Sequence, residues 1–307
     1  LARDSSVSQN LQKEFIKVEE YWDHLIVKPE LITTKNNTHY KVFGPYLRCW
    51  RLEVESSYSK GINLYPKPSG LNNYKINPVS QEEKNFWLEL NLIKSLPKLS
   101  KLGIEFDGEE LCPCMPGETN SYKQLEDFCD TFSEFKKGRL DQLSNNQSIY
   151  LYNKNRNIPS LLGTSFISAA ITCGTLSPRF IWNMAKLSKE NALRNNSEIA
   201  LHSIQTWEDE IIWREFYHHA LFNFPHLAKG PFRKKWLFFP WENNKRKIQS
   251  WKSGMTGFPI VDAAIRQLNS SGWMHNRCRM IVASFLVKDL LCNWQIGEEY
   301  FMSKLVD

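Results

Sequence analysis

Three features that would assign this chain to a class at once are missing from its 307 residues. No apolar run approaches the ~20 residues that a membrane-spanning helix needs. No internal repeat or low-complexity tract is present, which argues against solenoids and disordered chains. The seven cysteines are an odd number and include no CxxC pair or Cys/His cluster with zinc spacing. We therefore expect reduced thiols, a cytoplasmic protein and no metal site, since the closest pair, Cys112 and Cys114, is only a weak metal signal.

The chain is rich in aromatic residues and has a net positive charge. Aromatics make up 13% of it and include 11 tryptophans, the side chain best suited to stacking on flat partners. The net charge of +6 suits a polyanionic partner. Basic and aromatic residues alternate along 231–252, as expected for contact with a nucleic-acid backbone and stacking on bases. A solvated loop explains the same charge run equally well.

The distribution of turn-forming residues divides the chain into three parts. Residues 1–30 predict a helix followed by a short strand at 25–27. Residues 31–120 are rich in proline, glycine and asparagine, and predict a long connector with short helices such as 81–93. The rest predicts a mainly α domain, with helices at 121–143, 147–154, 168–173, 177–187, 197–223, 259–270 and 274–292. Pro259 fits the first turn of its helix, and Gly272 fits its end.

One predicted helix gathers charged and aromatic residues on a single face. At about 100° per residue, an arc of roughly 80° holds Trp207, Glu210, Arg214 and Tyr217, with Trp213 beside it. A core face would carry Leu and Ile, and a solvent face would lack the tryptophans. The pattern indicates the wall of a pocket. A buried tryptophan pair beside a Glu–Arg pair at i,i+4 spacing remains the alternative.

The segment 272–280 offers a second group of this kind. A helix starting near Trp273 would place on an arc of about 120° the residues Trp273, Asn276, Arg279 and Met280, with Arg277 just outside. An asparagine can both donate to and accept from an amide-like edge such as that of a pyrimidine. Methionine supplies a polarizable apolar wall. An ordinary core face remains the alternative.

Hydroxyl residues precede a predicted helix at 163–168. Hydroxyls and free backbone N–H groups at the start of a helix suit a phosphate or diphosphate. A plain N-cap at Ser168 explains the same residues without a ligand.

In this order and spacing, the motifs resemble the photolyase/cryptochrome family, and most of all its class I cyclobutane pyrimidine dimer photolyases. An earlier similar stretch lies at 39–50. The others run from about 150 to the last residue and are YNKNRNIP from Tyr152, GTSFIS from Gly163, GTLSPR from Gly174, WEDEIIWREFY from Trp207, GMTGFPIVDAAIRQL from Gly254, GWMHNRCRMIVASFLVKDLL from Gly272 and WQIGEEYFMSKLVD from Trp294.

The resemblance implies a domain organisation. Residues 1–30 would be the C-terminal remnant of an α/β (Rossmann-like) antenna domain, and 31–120 an interdomain connector. Residues 121–307 would be an all-helical FAD- and DNA-binding catalytic domain. The chain would then lack most of the antenna domain and the C-terminal end of the FAD domain.

The resemblance also implies roles for particular residues. An FAD site would comprise Tyr152, Thr164, Ser165, Phe166, Ile167, Ser168, Trp207, Arg214, Trp273, Asn276, Arg279 and Asp307. Catalytic roles would fall to Glu210, Asn276 and Met280. DNA would be contacted by Arg156, Glu210, Trp213, Asn276 and Arg277. Electron transfer to the flavin would use Trp241 and Trp294.

The function implied is light-dependent repair of cyclobutane pyrimidine dimers, a carbon–carbon lyase reaction. Excited reduced FAD would pass an electron to a dimer flipped out of the DNA. We expect a monomer without membrane association, and a second antenna chromophore, a folate or a deazaflavin. A cryptochrome-type photoreceptor without repair is the main alternative, which the presence of Glu210, Trp213, Asn276 and Met280 disfavours. A helical nucleic-acid-binding protein without catalysis would differ by having no flavin absorption.

Overall fold

The computed structural model of the chain describes residues 2–19, 21–57, 62, 112–129 and 147–307. These ranges belong to one compact unit, formed by residues 1–63 together with 112–307. The predicted helix at 81–93, and the part of the predicted helix 121–143 that follows Cys129, lie outside them. Within these ranges no helix combines the length and the apolar character needed to cross a membrane.

The described residues form helices and contain no β-strand, so the mainly α architecture predicted from the sequence is confirmed. The α-helices are α1 (Ala2–Lys13), α2 (Phe43–Ser57), α3 (Glu118–Cys129), α4 (Tyr152–Asn155), α5 (Ser168–Cys173), α6 (Pro178–Arg194), α7 (Glu198–Asn223), α8 (Lys245–Lys252), α9 (Pro259–Ser271), α10 (Asn276–Ser284) and α11 (Trp294–Lys304). Short 3₁₀ turns lie at Pro29–Leu31, Ile149–Leu151, Pro225–Ala228 and Lys234–Trp236, and a π-helical turn at Phe285–Asp289 continues α10.

Helix α7 is the element against which α2, α4 and α6 pack. It begins after Ser197, whose hydroxyl accepts a hydrogen bond from the N–H of Ala200 (3.4 Å). Its 26 residues bury Ile204, Trp207 and Ile212 in a large apolar cluster. This packing stabilises α7 and fixes the helix relative to α2, α4 and α6.

A second apolar cluster joins α8, α9 and α10 around Trp251. This indole is fully buried and donates to the carbonyl of Val282 (3.1 Å). Helix α9 begins at Pro259 and ends before Gly272, whose φ of +67° is left-handed. The carbonyl of Gly272 accepts a hydrogen bond from the N–H of Val306 (2.9 Å), which holds the last described residues against the start of α10.

The strand predicted at 25–27 is wrong. These residues are buried, but their backbone groups bond to side chains of α7 and not to a neighbouring strand. The carboxylate of Glu215 accepts from the N–H groups of Ile26 and Val27, the latter at 3.2 Å. The carbonyl of Val27 lies 3.0 Å from Nε2 of His219. Because α7 satisfies this segment, the apolar run needs no sheet.

Candidate functional site

Two adjoining cavities lie along α7, the start of α10 and the turn at 163–168, with volumes of about 390 and 210 Å³. Lining residues common to both are Tyr152, Ser165, Ile167, Ser168, Arg279 and Asp307. The larger cavity is also lined by Trp207, Glu210 and Arg214, and the smaller by Thr164, Phe166, Trp273 and Asn276. All twelve residues of the FAD site expected from the resemblance therefore line one cavity or both. Their combined size is in the range of small-molecule and cofactor sites.

Helix α7 supplies one wall of the larger cavity. Trp207 is 3% exposed and packs on the ring of Phe128 (5.2 Å between centroids). Glu210 and Arg214 follow at the three- and seven-residue spacings that keep side chains on one helix face. The guanidinium of Arg214 donates to the carbonyl of His24 (2.7 Å). Burial lowers the pKa of Arg214, but the group remains a cation at neutral pH.

The turn at 163–168 supplies the opposite wall and depends on a glycine. A Cβ at Gly163 would lie 2.7 Å from Cβ of Asn155 and 2.9 Å from its carbonyl oxygen, so only glycine lets the turn approach α4 this closely. Phe166 has a φ of +53°, an unusual conformation for a bulky residue. Its ring is held against Trp273 (4.9 Å between centroids). The turn is thus fixed by close packing at both ends.

An ion pair closes the cavities at the end of the described chain. The Arg279 guanidinium donates to Oδ2 of Asp307 (2.8 Å) and to the carbonyl of Met274 (2.8 Å). The Asp307 side chain is 5% exposed. Its other oxygen, Oδ1, is buried and has no hydrogen-bond partner among the described residues. A buried acceptor of this kind is costly unless a ligand or water donates to it.

The carboxylate of Glu210 is paired with a cation. Nη2 of Arg156 lies 2.6 Å from Oε1 of Glu210, and the Arg156 side chain is only 12% exposed. The same guanidinium lies over the ring of Tyr152 at 5.1 Å. Burial, together with the Glu210 carboxylate, raises the pKa of Tyr152, so its hydroxyl stays protonated and able to donate. Arg156, which the resemblance places at DNA phosphates, is therefore paired with a residue that lines the larger cavity.

The start of α10 carries the second group of predicted residues. His275 caps the helix, because its Nδ1 accepts from the N–H of Arg277 (3.1 Å). Arg277 donates through Nε to the Asn157 side chain (2.8 Å), and its Nη1 is 3.5 Å from the Met280 sulfur. Asn276 lines the smaller cavity, whereas Met280 is 57% exposed and lines neither cavity. Asn276 is thus exposed although it lines the smaller cavity, Arg277 beside it is half-buried, and Met280 lies on the adjacent surface.

Trp213 does not line the two cavities. Its ring stacks on Phe43 (3.6 Å between centroids, 9° between planes) and on Tyr217 (5.6 Å, 23°). Phe43 lies at the start of α2, which packs against α7, whereas Tyr217 follows Trp213 by four residues on α7 itself. The sequence places Trp213 next to Glu210 along the helix, but its half-buried ring packs on Phe43 and Tyr217 and does not line the two cavities.

The two tryptophans expected to transfer electrons lie on segments that contact each other. Trp241 packs on Phe239 (4.4 Å between centroids), and Trp294 opens α11. The N–H of Glu242 donates to the carbonyl of Leu291 (2.9 Å), and the N–H of Asn293 donates to the Asn243 side chain (2.8 Å). Both rings are half-buried.

Several lining residues were not found by sequence reasoning. Most are apolar or small and carry no chemical signal: Ile171, Thr172, Pro178, Ile181, Ile211 and Met274. His218 is different, because it follows Arg214 by four residues on α7 and lines the larger cavity. The helical spacing used for Trp207, Glu210 and Arg214 would have identified it.

Comparison with known families agrees with this geometry. A profile described as the FAD binding domain of DNA photolyase matches residues 207–307, and one described as DNA photolyase matches 1–68. A protein of Synechococcus sp. named deoxyribodipyrimidine photo-lyase is 39% identical over 99% of this chain and 56% of its own length. An Escherichia coli protein of the same name is 34% identical over 100% of this chain and 56% of its own length.

Solved structures give the same result. A bacterial class III photolyase from Agrobacterium tumefaciens superposes with a TM-score of 0.71 and 30% identity, covering 100% of this chain and 55% of that one. A Synechocystis cryptochrome, 24% identical, shares the fold with a TM-score of 0.69, over 99% of this chain and 56% of that one. The chain spans about half the length of the curated relatives it matches. It belongs to the photolyase/cryptochrome family.

Proposed function

We propose that this chain binds FAD and takes part in light-dependent repair of cyclobutane pyrimidine dimers in DNA, as a deoxyribodipyrimidine photo-lyase does. The observation that carries the proposal is the convergence of twelve expected cofactor residues on two adjoining cavities, with Glu210 and Asn276 in their walls. Relatives 33–39% identical over nearly the whole chain have that name, which supports the same activity.

The residues of the cavities fit FAD. Hydroxyls at Thr164, Ser165 and Ser168 can donate to a diphosphate, and the guanidinium groups of Arg214 and Arg279 supply positive charge nearby. Oδ1 of Asp307 has no hydrogen-bond partner among the described residues, and a ring or exocyclic N–H of FAD could donate to it. When bound and reduced, FAD would supply the electron that splits the dimer after absorbing light. The protein's part is to bind, orient and exclude water.

Glu210 and Asn276 would bind the damaged bases. A dimer inside duplex DNA is out of reach, so it must be flipped out, at a cost of a few kcal/mol that poor stacking of the lesion reduces. The Glu210 carboxylate can accept from a pyrimidine N–H, and the Asn276 amide can both donate and accept. Arg156, already 2.6 Å from Glu210, would place a positive charge where the dimer becomes negative on receiving an electron.

The remaining contacts with DNA would lie outside the cavities. Arg277 is half-buried at the start of α10, and Met280 beside it is exposed. Arg277 would contact the DNA phosphates, and Met280 would pack against the dimer. For Trp213 to stack on the dimer, one of its present aromatic neighbours would have to move. The second chromophore, a folate or deazaflavin, and a monomeric state remain expectations for the whole protein.

The test is repair of dimer-containing DNA by the complete protein with reduced FAD under illumination. We expect Glu210→Ala to slow repair on the order of 10²-fold, because it removes a hydrogen bond to the reacting pyrimidine and the partner that holds Arg156 beside it. Lesion binding should change little, because Asn276, Arg277 and Met280 remain. Glu198→Ala, an exposed acid at the first turn of the same helix, is the matched control. Equal repair rates in the parent and Glu210→Ala would remove Glu210 from the reaction. FAD photoreduction without any dimer repair would favour a cryptochrome-type photoreceptor.

A further inference from the structure

Two cysteine thiols lie against the wall of the smaller cavity and have no part in the proposed repair. Cys114 is buried in a cluster with the rings of Phe166 and Trp273, and Cys112 packs against the same cluster while half-buried. Both rings line the smaller cavity. The CxC pair, which suggested at most a metal site from sequence, therefore packs directly on side chains of the cofactor cavity.

The two thiols are close enough to react with each other. One residue separates Cys112 from Cys114, and both side chains pack in the same cluster around Phe166 and Trp273. Residues separated by one position can also reach the Cα separation of about 4.4–6.8 Å that a disulfide requires. Burial, and then the neighbouring Cys112, raise the pKa of Cys114 to about 12, so Cys114 stays a thiol. Cys112 is the more accessible of the pair and is the one that an oxidant meets first.

Phe166 makes this wall sensitive to change. Its φ of +53° is strained for a bulky residue and persists only while neighbouring atoms hold it. Its neighbours include Trp273 and the buried Cys114, with Cys112 and Ala169 packed against them. A shift of the Cys114 sulfur would disturb this packing, and Phe166 lies within the turn that lines both cavities.

We propose that Cys112 and Cys114 form a redox-sensitive pair whose oxidation to a disulfide loosens the cofactor cavity at Phe166. A hydroperoxide oxidises the Cys112 sulfur to a sulfenic acid, and the O–O bond accepts the two electrons. Cys114 gives up its proton as its sulfur attacks the oxidised Cys112 sulfur, because the thiolate is the reactive form. The S–S bond forms, the S–O bond breaks, and the oxygen leaves with the thiol proton as water. A dithiol reductant reverses the change by thiol–disulfide exchange.

The first experiment needs no flavin. The full chain is treated with limiting hydrogen peroxide, its remaining thiols are alkylated, and its peptides are analysed by mass spectrometry. We expect an intramolecular disulfide between Cys112 and Cys114 that dithiothreitol removes. It must be absent from Cys112→Ser and Cys114→Ser, and present in Cys173→Ser, which removes an exposed thiol elsewhere. Full alkylation of both thiols after peroxide, or oxidation to sulfinic acid without the bond, would overturn the proposal.

The second experiment rests on the proposed function, because it measures FAD affinity before and after oxidation. We expect about tenfold weaker binding by the oxidised chain, the effect of losing one packing contact of ordinary strength. Dithiothreitol should restore the affinity, and the Cys112→Ser, Cys114→Ser double variant should not respond to peroxide. Unchanged affinity in a chain that contains the disulfide would refute the link to the cavity. Absence of FAD binding even in the reduced chain would instead count against the proposed function.

Discussion

Replacing Glu215 with alanine is expected to destabilise the fold strongly. The side chain is fully buried, and its carboxylate accepts from the N–H groups of Ile26 and Val27 and from the indole of Trp50 (2.7 Å). Glu215→Ala would remove the acceptor of these three hydrogen bonds from a buried site, and each lost bond of this kind costs about 1–3 kcal/mol. We therefore expect the free energy of unfolding to fall by at least about 3 kcal/mol, a large part of the stability of a typical domain.

The same residue predicts a dependence of stability on pH. Burial raises the pKa of Glu215 to about 7 from an ordinary value of 4.5, although its hydrogen bonds and Arg214 act in the opposite direction. Between these values the folded chain holds a proton that the unfolded chain has released. The stability that this proton adds to the folded chain is fully present below about pH 4.5 and is lost as the pH rises through about 7. The shift corresponds to about 3 kcal/mol, at about 1.4 kcal/mol per unit.

Urea denaturation followed by far-ultraviolet circular dichroism, repeated across this pH range, measures both effects. Glu215→Gln keeps the size of the side chain and removes its titration, so its stability should fall less than that of the parent between pH 4.5 and 7. Glu198→Gln, exposed at the first turn of α7, should change stability by no more than about 1 kcal/mol. A Glu215→Ala variant within 1 kcal/mol of the parent would refute the anchoring role. So would a Glu215→Gln variant with the same pH dependence as the parent.

Three further predictions concern the cofactor region. Gly163→Ala should raise the FAD dissociation constant about tenfold in a flavin fluorescence titration, because its Cβ would lie 2.7 Å from that of Asn155 and push the turn outward. Asp307→Ala should lower the free energy of unfolding by about 1–3 kcal/mol in urea denaturation, because it leaves Arg279 without its partner at 2.8 Å; an unaltered midpoint would contradict this. In the complete protein, Trp294→Phe should block photoreduction of oxidised flavin, followed by absorption, but not repair by flavin already reduced.

The bounds of two helices were predicted closely, whereas the helix predicted at 177–187 extends to Arg194, and the one predicted at 274–292 is an α-helix at Asn276–Ser284 followed by a π-helical turn. The helix predicted at 197–223 is α7, which begins after Ser197 and ends at Asn223, because its cap and its apolar spacing are local properties. Pro259 and Gly272 mark the bounds of α9 as expected. The strand prediction at 25–27 was wrong because the hydrogen-bond partner of this segment is Glu215, nearly 190 positions away. No local pattern in 25–27 distinguishes such a segment from a strand.

Only part of the candidate site could be predicted from local patterns in the sequence. Helical spacing alone placed Trp207, Glu210 and Arg214 on one face, and all three line the larger cavity. The same cavity is also lined by the turn at 163–168, whose hydroxyls before a helix had indicated a phosphate site, and by Asp307, which only the resemblance indicated. The stacking of Trp213 on Phe43 depends on how α2 meets α7, so the sequence of α7 could not reveal it.

The most direct test of the cofactor site is an equilibrium titration with FAD. Ser165 lines both cavities where the diphosphate would lie, so Ser165→Asp should bring negative charges together and weaken FAD binding at least tenfold. Ser270→Asp adds the same charge at an exposed position of α9 that lines neither cavity and should leave the affinity unchanged. Equal FAD affinities for Ser165→Asp, Ser270→Asp and the parent would contradict the assignment of these cavities to FAD.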